Sequence, residues 1–166
     1  IGTGFSSNIP SYNPKDINQN IKRILIGAQV KDMSPWFKNF EGTIERVDEH
    51  TWVATGKYEN GCVTELPPGR WIQDFKEHLD KLVDDKIISN YVNNSTTEKV
   101  HFKIVGYTGT EPVKDFKLTE TFKTSNMHLF HPNGIKKYNS PNEILSDYVE
   151  IRMEYFEKRK KHLLEK

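Results

Sequence analysis

Residues 99–107, KVHFKIVGY, carry the clearest strand pattern of the chain. Val100, Phe102 and Ile104 alternate with polar or smaller side chains over this stretch. Alternation with a period of two places one set of side chains on a core and the other set toward solvent. The stretch therefore predicts a central strand of an antiparallel sheet that packs on one face only.

Further strand patterns lie on both sides of this stretch. Asp48-Glu49-His50 separates two alternating runs and predicts a hairpin, and Asn133-Gly134 predicts a second hairpin in which residues 135–138 return from the turn. The remaining segments that favour strands or extended chain are 42–47, 51–59, 62–66, 87–91, 116–122 and 126–130. They indicate one antiparallel sheet, with Pro67-Pro68 ending the 62–66 strand.

Three helices are predicted around the sheet. Asn13 and Pro14 suit the N-cap and first turn of a helix over 14–26. Apolar residues at helical spacing (Trp71, Phe75, Leu79 and Leu82) predict a second helix that opens at Gly69-Arg70 and reaches about residue 84. Residues 140–143, SPNE, form a capping box ahead of a helix predicted to reach residue 166. Ile144, Tyr148, Ile151 and Tyr155 should line one face of it.

The predicted fold class is therefore α+β: an antiparallel sheet with flanking helices, followed by the start of a long coiled-coil helix. The last helix is longer than a compact domain needs, because its second half has few apolar positions. The chain has 166 residues and one cysteine, so it forms no internal disulfide, and it has no bilayer-spanning apolar run. It starts at Ile1 within what looks like ordered structure, which suggests a piece of a longer chain.

The candidate catalytic motifs are weak. Residues 2–4, GTG, lack the Gly-Lys-Ser/Thr ending of a phosphate-binding loop and the third glycine of a dinucleotide fingerprint. His128 and His131 should lie on opposite faces of a strand, with only the distant Cys62 as a soft ligand, so no metal site is expected. No hydroxyl or thiol has a recognisable base nearby. The chain alone therefore predicts no catalytic residue and no cofactor.

Basic residues suggest a polyanionic partner only locally, because the net charge is +1. Residues 99–137 contain seven lysines against three acidic residues, and residues 158–161 form a second run. Such groups can contact phosphates without sequence preference. A solvated face is the alternative, and it is favoured for the run on the last helix.

Several segments, taken together and in order, resemble the type II DNA topoisomerases, and the eukaryotic enzymes more than bacterial gyrase. They are IGTGFSSNIPSYNPKDI (1–17), FEGTIERV (40–47), TELPPGRWIQDFKE (64–77), FKLTETF (116–122) and IKKYNSPNEILSDYVEIRMEYFEKRKKHL (135–163). The resemblance covers nearly the whole chain. It implies the tower (shoulder) region, which lies downstream of the nucleophilic tyrosine in this family. None of the seven tyrosines here follows an arginine as that tyrosine does.

The resemblance implies that this region binds and bends a duplex while the chemistry occurs elsewhere. It divides the chain into a DNA-bending segment (1–13), the tower domain (14–139) and the start of a coiled-coil arm (140–166). Ile1 would wedge between base pairs, since apolar wedges unstack and kink a duplex. The implied DNA-binding residues are Ile1, Gly2, Thr3, Gly4, Ser6, Ser7, Asn8, Lys99, Lys103 and Lys123.

The resemblance also implies a parent enzyme in the nucleus that passes one duplex through a transient double-strand break in another. That enzyme would be a homodimer and would use Mg²⁺ and ATP bound outside this chain. Its partner would be double-stranded DNA, with no membrane contact. The alternative, from another class, is a non-catalytic protein-interaction module whose projecting helix seeks a partner and which does not contact DNA.

Overall fold

A computed structural model describes Gly4 and residues 6–166. Its helices are α1 (Pro14–Leu25), α2 (Ile72–Asp84), α3 (Pro112–Asp115) and α4 (Pro141–Leu164). Its strands are β1 (Thr43–Arg46), β2 (Thr51–Thr55), β3 (Lys57–Glu59), β4 (Cys62–Glu65), β5 (Asn90–Asn93), β6 (Phe102–Val105), β7 (Thr119–Lys123), β8 (Met127–His131) and β9 (Gly134–Tyr138). The chain divides into two compact units, residues 1–36 with 123–166 and residues 37–122.

The central strand predicted from residues 99–107 is confirmed as β6 of a four-stranded antiparallel sheet with the order β3-β4-β6-β5. Phe102 is fully buried and Ile104 nearly so, whereas Lys103 and Val105 are exposed on the other face. The buried face packs with Phe75 and Leu79 of α2 in one hydrophobic cluster. Alternation along β6 therefore decides which face of this sheet forms the core of residues 37–122.

The predicted α+β class, with antiparallel strands and flanking helices, is confirmed, and the strands of the described residues are divided among three sheets. Residues 51–59 have the pattern of one strand, but they divide at Gly56 into β2 and β3. β2 belongs to a three-stranded sheet with the order β1-β2-β7, and β3 to the four-stranded sheet. The Gly56 N–H donates to the Leu118 carbonyl over 2.8 Å. A Cβ added at Gly56 would lie 2.3 Å from the Glu65 carbonyl oxygen, so only glycine fits where the chain changes sheets.

The second helix begins later than predicted. The helical spacing predicts Trp71 on its apolar face, but Trp71 is the N-cap residue of α2 and 75% of its surface is exposed. Phe75, Leu79 and Leu82 form the buried face, as the spacing indicates. Residues 112–115, where no helix is predicted, form the short helix α3.

The first unit combines α1, α4 and the predicted β8–β9 hairpin, which pairs from Met127↔Tyr138 to His131↔Gly134. Asn20 of α1 is buried, and both ends of its amide are used. Its Nδ2 donates to the Lys31 carbonyl (2.7 Å) and to Asn142 Oδ1 (3.2 Å), while its Oδ1 accepts from Lys31 N (3.1 Å) and Arg23 NH1 (2.9 Å). This network joins α1 to residue 31 and to the first turn of α4.

Helix α4 starts at the predicted capping box. Ser140 Oγ accepts from the Glu143 N–H (3.2 Å), and the Glu143 carboxylate accepts from the Asn139 N–H (2.9 Å). The predicted apolar face is wrong in part, because Tyr148 and Tyr155 are each more than half exposed and Val149 is the buried residue of the helix. Val149 lies one position from the predicted line, on the side where the hairpin and α1 pack. None of the helices in the described part of the chain is long and apolar enough to cross a membrane.

Candidate nucleic-acid interface

The predicted DNA-bending segment can be followed at Gly4 and from residue 6 onward. Ile1, Gly2 and Thr3 lie outside the described residues. Gly4 has a φ of +79°, which favours glycine, and open space surrounds the position of an added Cβ. The glycine is therefore needed for the backbone conformation, while its surroundings leave room for another molecule to approach.

Ser6, Ser7 and Asn8 attach this segment to strand β8 and the residue before it. The Asn8 N–H donates to the Asn126 carbonyl (2.7 Å), Asn126 Nδ2 donates to Ser6 Oγ (2.9 Å), and the His128 N–H donates to Ser7 Oγ (3.0 Å). All three residues of the segment are exposed. They thus shape the local chain, which is the structural alternative to DNA contact. Each serine hydroxyl nevertheless keeps its own hydrogen to donate.

Sequence reasoning misses the partners of these serines. The Asn126 amide is held at both ends, since its Nδ2 reaches Ser6 and its Oδ1 lies 3.0 Å from His128 Nδ1. An amide oxygen only accepts, so His128 Nδ1 carries the proton of this contact. Lys137 is directly opposite His128 in the hairpin register and shares its face. We call Asn126, His128 and Lys137 the polar hairpin face; only the alternation in residues 126–131 could have indicated it.

The opposite face of the hairpin is joined to α4 through one carboxylate. Asp147 Oδ2 accepts from Lys136 Nζ (2.6 Å) and from the Tyr138 hydroxyl (2.9 Å), and His131 Nε2 lies 3.9 Å from it. The hydrogen bonds from Lys136 and then from Tyr138 hold the pKa of Asp147 below its ordinary value. Lys136 belongs to the basic cluster of residues 99–137, but its charge is matched by Asp147 and is not available as a phosphate contact.

The three lysines predicted to contact DNA are all exposed but lie on separate elements. Lys99 lies in the β5–β6 loop, where its N–H donates to Thr96 Oγ1 (3.1 Å). Lys103 lies on the exposed face of β6, between Cys62 and Val92 in the register. Lys123 is the last residue of β7.

Charge is distributed unequally between the two units. Residues 1–36 and 123–166 contain thirteen Lys and Arg against eight Asp and Glu, whereas residues 37–122 contain eleven against fifteen. The near-neutral net charge of the chain is therefore the sum of a basic first unit, which contains the Ser6–Asn8 segment, and an acidic second unit. Attraction to a polyanion is therefore expected mainly at the first unit and at local basic positions of the second.

Metal chemistry has no candidate residues in the part of the chain that the structure describes, because no three His, Cys, Asp or Glu side chains come together there in a way that could hold a metal ion. His128 and His131, three positions apart on β8, point to opposite faces as predicted. His128 contacts Asn126 and His131 lies near Asp147. These two histidines therefore belong to two different hydrogen-bonded groups.

Comparison with known proteins gives consistent matches along the whole chain. The sequence profile of the DNA gyrase/topoisomerase IV family, for the A-type subunits of those enzymes, matches residues 1–166. DNA topoisomerase 2 of Pisum sativum is 37% identical over 183 aligned positions, which cover 99% of this chain and 12% of that protein. DNA topoisomerase 2 of Saccharomyces cerevisiae is 34% identical over 188 positions, covering 100% of this chain and 13% of that protein.

A solved structure agrees with these sequence matches. The DNA-binding, cleavage and re-ligation domain of Plasmodium falciparum topoisomerase II superposes with a TM-score of 0.88 and 38% identity, over 98% of this chain and 24% of that one. The chain thus spans about an eighth of the length of its curated relatives and has the α+β architecture of the solved domain. It belongs to the type II DNA topoisomerase family, within which it matches the DNA topoisomerase 2 proteins.

Proposed function

We propose that this chain is the part of a type II topoisomerase that binds and bends the duplex to be cleaved. The observation that carries this proposal is the agreement of the whole chain, in sequence and in fold, with a solved domain described as DNA-binding, cleaving and re-ligating. The parent enzyme would pass one duplex through a transient double-strand break in another. The fragment supplies geometry to that reaction and no reacting group.

Bending a duplex requires an apolar wedge on a backbone that the rest of the protein supports. Ile1 would enter between two base pairs, at a cost of a few kcal/mol for unstacking, and the bent duplex would then contact more protein. Two hydrogen bonds, from Asn126 Nδ2 to Ser6 Oγ and from the His128 N–H to Ser7 Oγ, supply this support, because they fix the chain a few residues after the wedge. Gly2 and Gly4 would let the backbone approach the minor groove, where a β-carbon would intrude.

Sugar and phosphate contacts would come from the polar residues around the wedge. Thr3, Ser6, Ser7 and Asn8 have short polar side chains suited to phosphate oxygens. The exposed Lys137 lies across from His128, whose backbone N–H donates to Ser7 Oγ, and would add a positive charge on the hairpin to which this segment is attached. Lys99, Lys103 and Lys123 would contact the outer parts of the bent duplex.

The remaining functions belong to other parts of the parent protein. The nucleophilic tyrosine, the carboxylates that bind Mg²⁺ and the ATP-hydrolysing domain would all lie outside these 166 residues. Helix α4 is exposed from Arg152 onward and would start a coiled coil that leads to a homodimer contact. The parent enzyme would act in the nucleus, a location supported by the eukaryotic origin of its relatives. The alternative function, a protein-interaction module without DNA contact, has no support in the comparisons.

Fluorescence anisotropy with a labelled duplex of about 30 base pairs tests the proposal. The chain should bind without sequence preference, and its affinity should fall steeply as salt rises from about 50 to 200 mM, because bound lysines release counterions. Undetectable binding at low salt would favour the interaction module. The same preparation should leave a supercoiled plasmid unrelaxed, and relaxation would contradict the assignment of chemistry to other parts of the parent.

The wedge is tested in the full-length parent by Ile1→Ala. Energy transfer between dyes at the two duplex ends should report a smaller bend, and DNA cleavage should fall with it, because alanine is too short to hold a step open. Ile26→Ala, at an isoleucine that is 79% exposed after α1, is the matched control and should bend DNA normally. A normal bend in Ile1→Ala would remove Ile1 from the interface.

A further inference from the structure

An open basic pocket lies in the second unit. None of its lining residues belongs to the Ser6–Asn8 segment, to the polar hairpin face or to the three lysines predicted to contact DNA. The pocket has a volume of about 630 Å³, and its basic lining residues are Arg70, Lys114 and Lys117. Pro112, Val113 and Thr119 complete the wall, and Glu111 is the one acidic residue among the residues that line it. The lining thus carries three positive charges and one negative charge within a unit that is acidic as a whole.

The local fold explains why these side chains point outward. Phe116 and Leu118 are fully buried on either side of Lys117, so the lysine between them faces solvent. Lys114 lies on α3, and Arg70 lies just before α2, where its N–H donates to the Pro67 carbonyl (3.1 Å). His78 of α2 lies 2.7 Å through Nε2 from the carbonyl oxygen of Asp115, the last residue of α3, and so joins the two helices.

Three positive charges act on one residue of α2, His78. His78 has a lowered pKa, first because burial disfavours its charged form and then because Lys117, Arg70 and Lys81 repel a further positive charge. These three cations are therefore close enough to act on a single imidazole. Of the nearby acidic groups, Asp115 accepts a hydrogen bond from the Tyr107 hydroxyl, and Glu111 makes an ion pair with Lys114 at 3.2 Å. Both partners of that pair are mostly exposed, so the carboxylate is easily exchanged for another anion.

We propose that this pocket, formed by Arg70, Lys114, Lys117 and Thr119, binds a phosphate of a DNA backbone. The inference rests on the proposed function, since the occupant is the duplex which this chain is proposed to bind. A guanidinium and two ammonium groups suit a phosphodiester, and Thr119 adds a hydroxyl donor. Pro112 and the 40% exposed Val113 offer an apolar wall for the adjoining deoxyribose. Because the pocket is open, it can receive one phosphate of a long DNA strand that continues past it on both sides. A free small anion would instead favour a pocket that encloses it.

The test compares two triple variants with the same loss of charge. Arg70→Gln/Lys114→Gln/Lys117→Gln removes the pocket cations, and Arg159→Gln/Lys160→Gln/Lys161→Gln removes three exposed cations near the end of α4. Duplex affinity should fall roughly tenfold or more for the pocket variant. Its plot of log affinity against log salt should lose about 0.9 units of slope, because one neutralised phosphate contributes about 0.9. The control should keep the wild-type slope to within about 0.3 units. Circular dichroism checks that both variants are folded.

Nuclear magnetic resonance of His78 separates the sources of phosphate. A duplex at micromolar concentration should raise the pKa of His78 by offsetting the neighbouring cations, in the wild type and not in the pocket variant. Inorganic phosphate should do so only at millimolar concentration. If inorganic phosphate binds at micromolar concentration and the duplex does not displace it, the pocket is a small-anion site and the proposal is overturned.

The failure of this inference is distinguishable from failure of the proposed function. A wild-type chain that binds the duplex with a steep salt dependence, together with a pocket variant that behaves like the control, would overturn the pocket alone. A wild-type chain that binds no duplex would overturn both, even if inorganic phosphate still shifted His78.

Discussion

Asn20 is the residue on which the packing of the first unit depends most directly. Its side chain is 1% exposed and makes four hydrogen bonds, including both main-chain groups of Lys31. A buried amide is favourable only when its donors and acceptors are all paired, and here every one of them is. Because its bonds reach α1, residue 31 and α4, Asn20 fixes how these three parts meet.

Asn20→Ala should lower the free energy of unfolding by about 2 kcal/mol, since the buried amide and its hydrogen bonds, including the one from the Lys31 N–H, are lost. Urea denaturation followed by circular dichroism measures the change. Gln19→Ala, at the exposed neighbouring position of the same helix, is the control and should stay within about 0.5 kcal/mol of the wild type. Equal effects of the two substitutions would mean that the network contributes nothing specific.

At the scale of elements, the β8–β9 hairpin is attached to two other parts of the first unit. Its face with Lys136, Tyr138 and His131 is joined to α4 through Asp147, while the backbone N–H of His128 donates to Ser7 Oγ. The helix that is proposed to lead to the dimer contact and the segment proposed to hold the wedge are thus attached to the same hairpin. The hairpin is one physical link between them, and the Asn20 network is another.

The attachment to α4 should depend on acid pH. Because the pKa of Asp147 is lowered in the folded chain, its contribution to stability is complete above its ordinary value of 3.8 and is lost as the pH falls from there toward the folded pKa. Asp147→Asn should therefore be less stable than the wild type at pH 7, and the gap should narrow as the pH falls below about 4. Urea titrations from about pH 7 to pH 3 measure it.

Glu150→Gln provides the control for this pH dependence, because Glu150 is an exposed carboxylate on the same helix. It should follow the wild-type stability curve throughout the range. A gap between Asp147→Asn and the wild type that stays constant from pH 7 to pH 3 would contradict the role assigned to the charge of Asp147.

The elements show where sequence reasoning succeeds. Local signals predict the start of α1 at Pro14, the turn at Gly134 and the capping box of α4, since each depends on a few adjacent residues. Sequence reasoning fails at Gly56, because strand propensity continues through residues 51–59 while the division is imposed by a close approach to Glu65. It also fails at Trp71, which matches the helical period but lies before the first turn.

The candidate site likewise contains residues that the sequence identifies and partners that only the fold brings near them. Ser6, Ser7 and Asn8 can be selected from the resemblance, but their partners Asn126 and His128 lie about 120 residues away, and no local pattern predicts such pairing. Arg70, Lys114 and Lys117 are likewise separated in sequence. Only the packing of α2 against α3 brings them to one pocket.

For the whole molecule, the division into two units leads to a prediction about folding. The hydrophobic cluster that contains Phe75, Phe102 and Phe116 is made entirely from residues of the second unit, which is continuous in sequence. The first unit is discontinuous, since it needs residues 1–36 and 123–166 together. A continuous segment of nearly ninety residues with its own core is large enough to fold alone.

Residues 37–122, expressed alone, should therefore unfold in a single cooperative urea transition and give a dispersed amide spectrum. Phe102→Ala in this segment should cost about 3 to 5 kcal/mol and remove the transition, because Phe102 is fully buried against Phe75. Lys103→Ala, at the next residue on the exposed face of the same strand, is the control and should keep the transition. A broad, non-cooperative loss of signal in the unmodified segment would show that its core needs the first unit. In that case the acidic second unit could not have been a separate folding module within the parent enzyme.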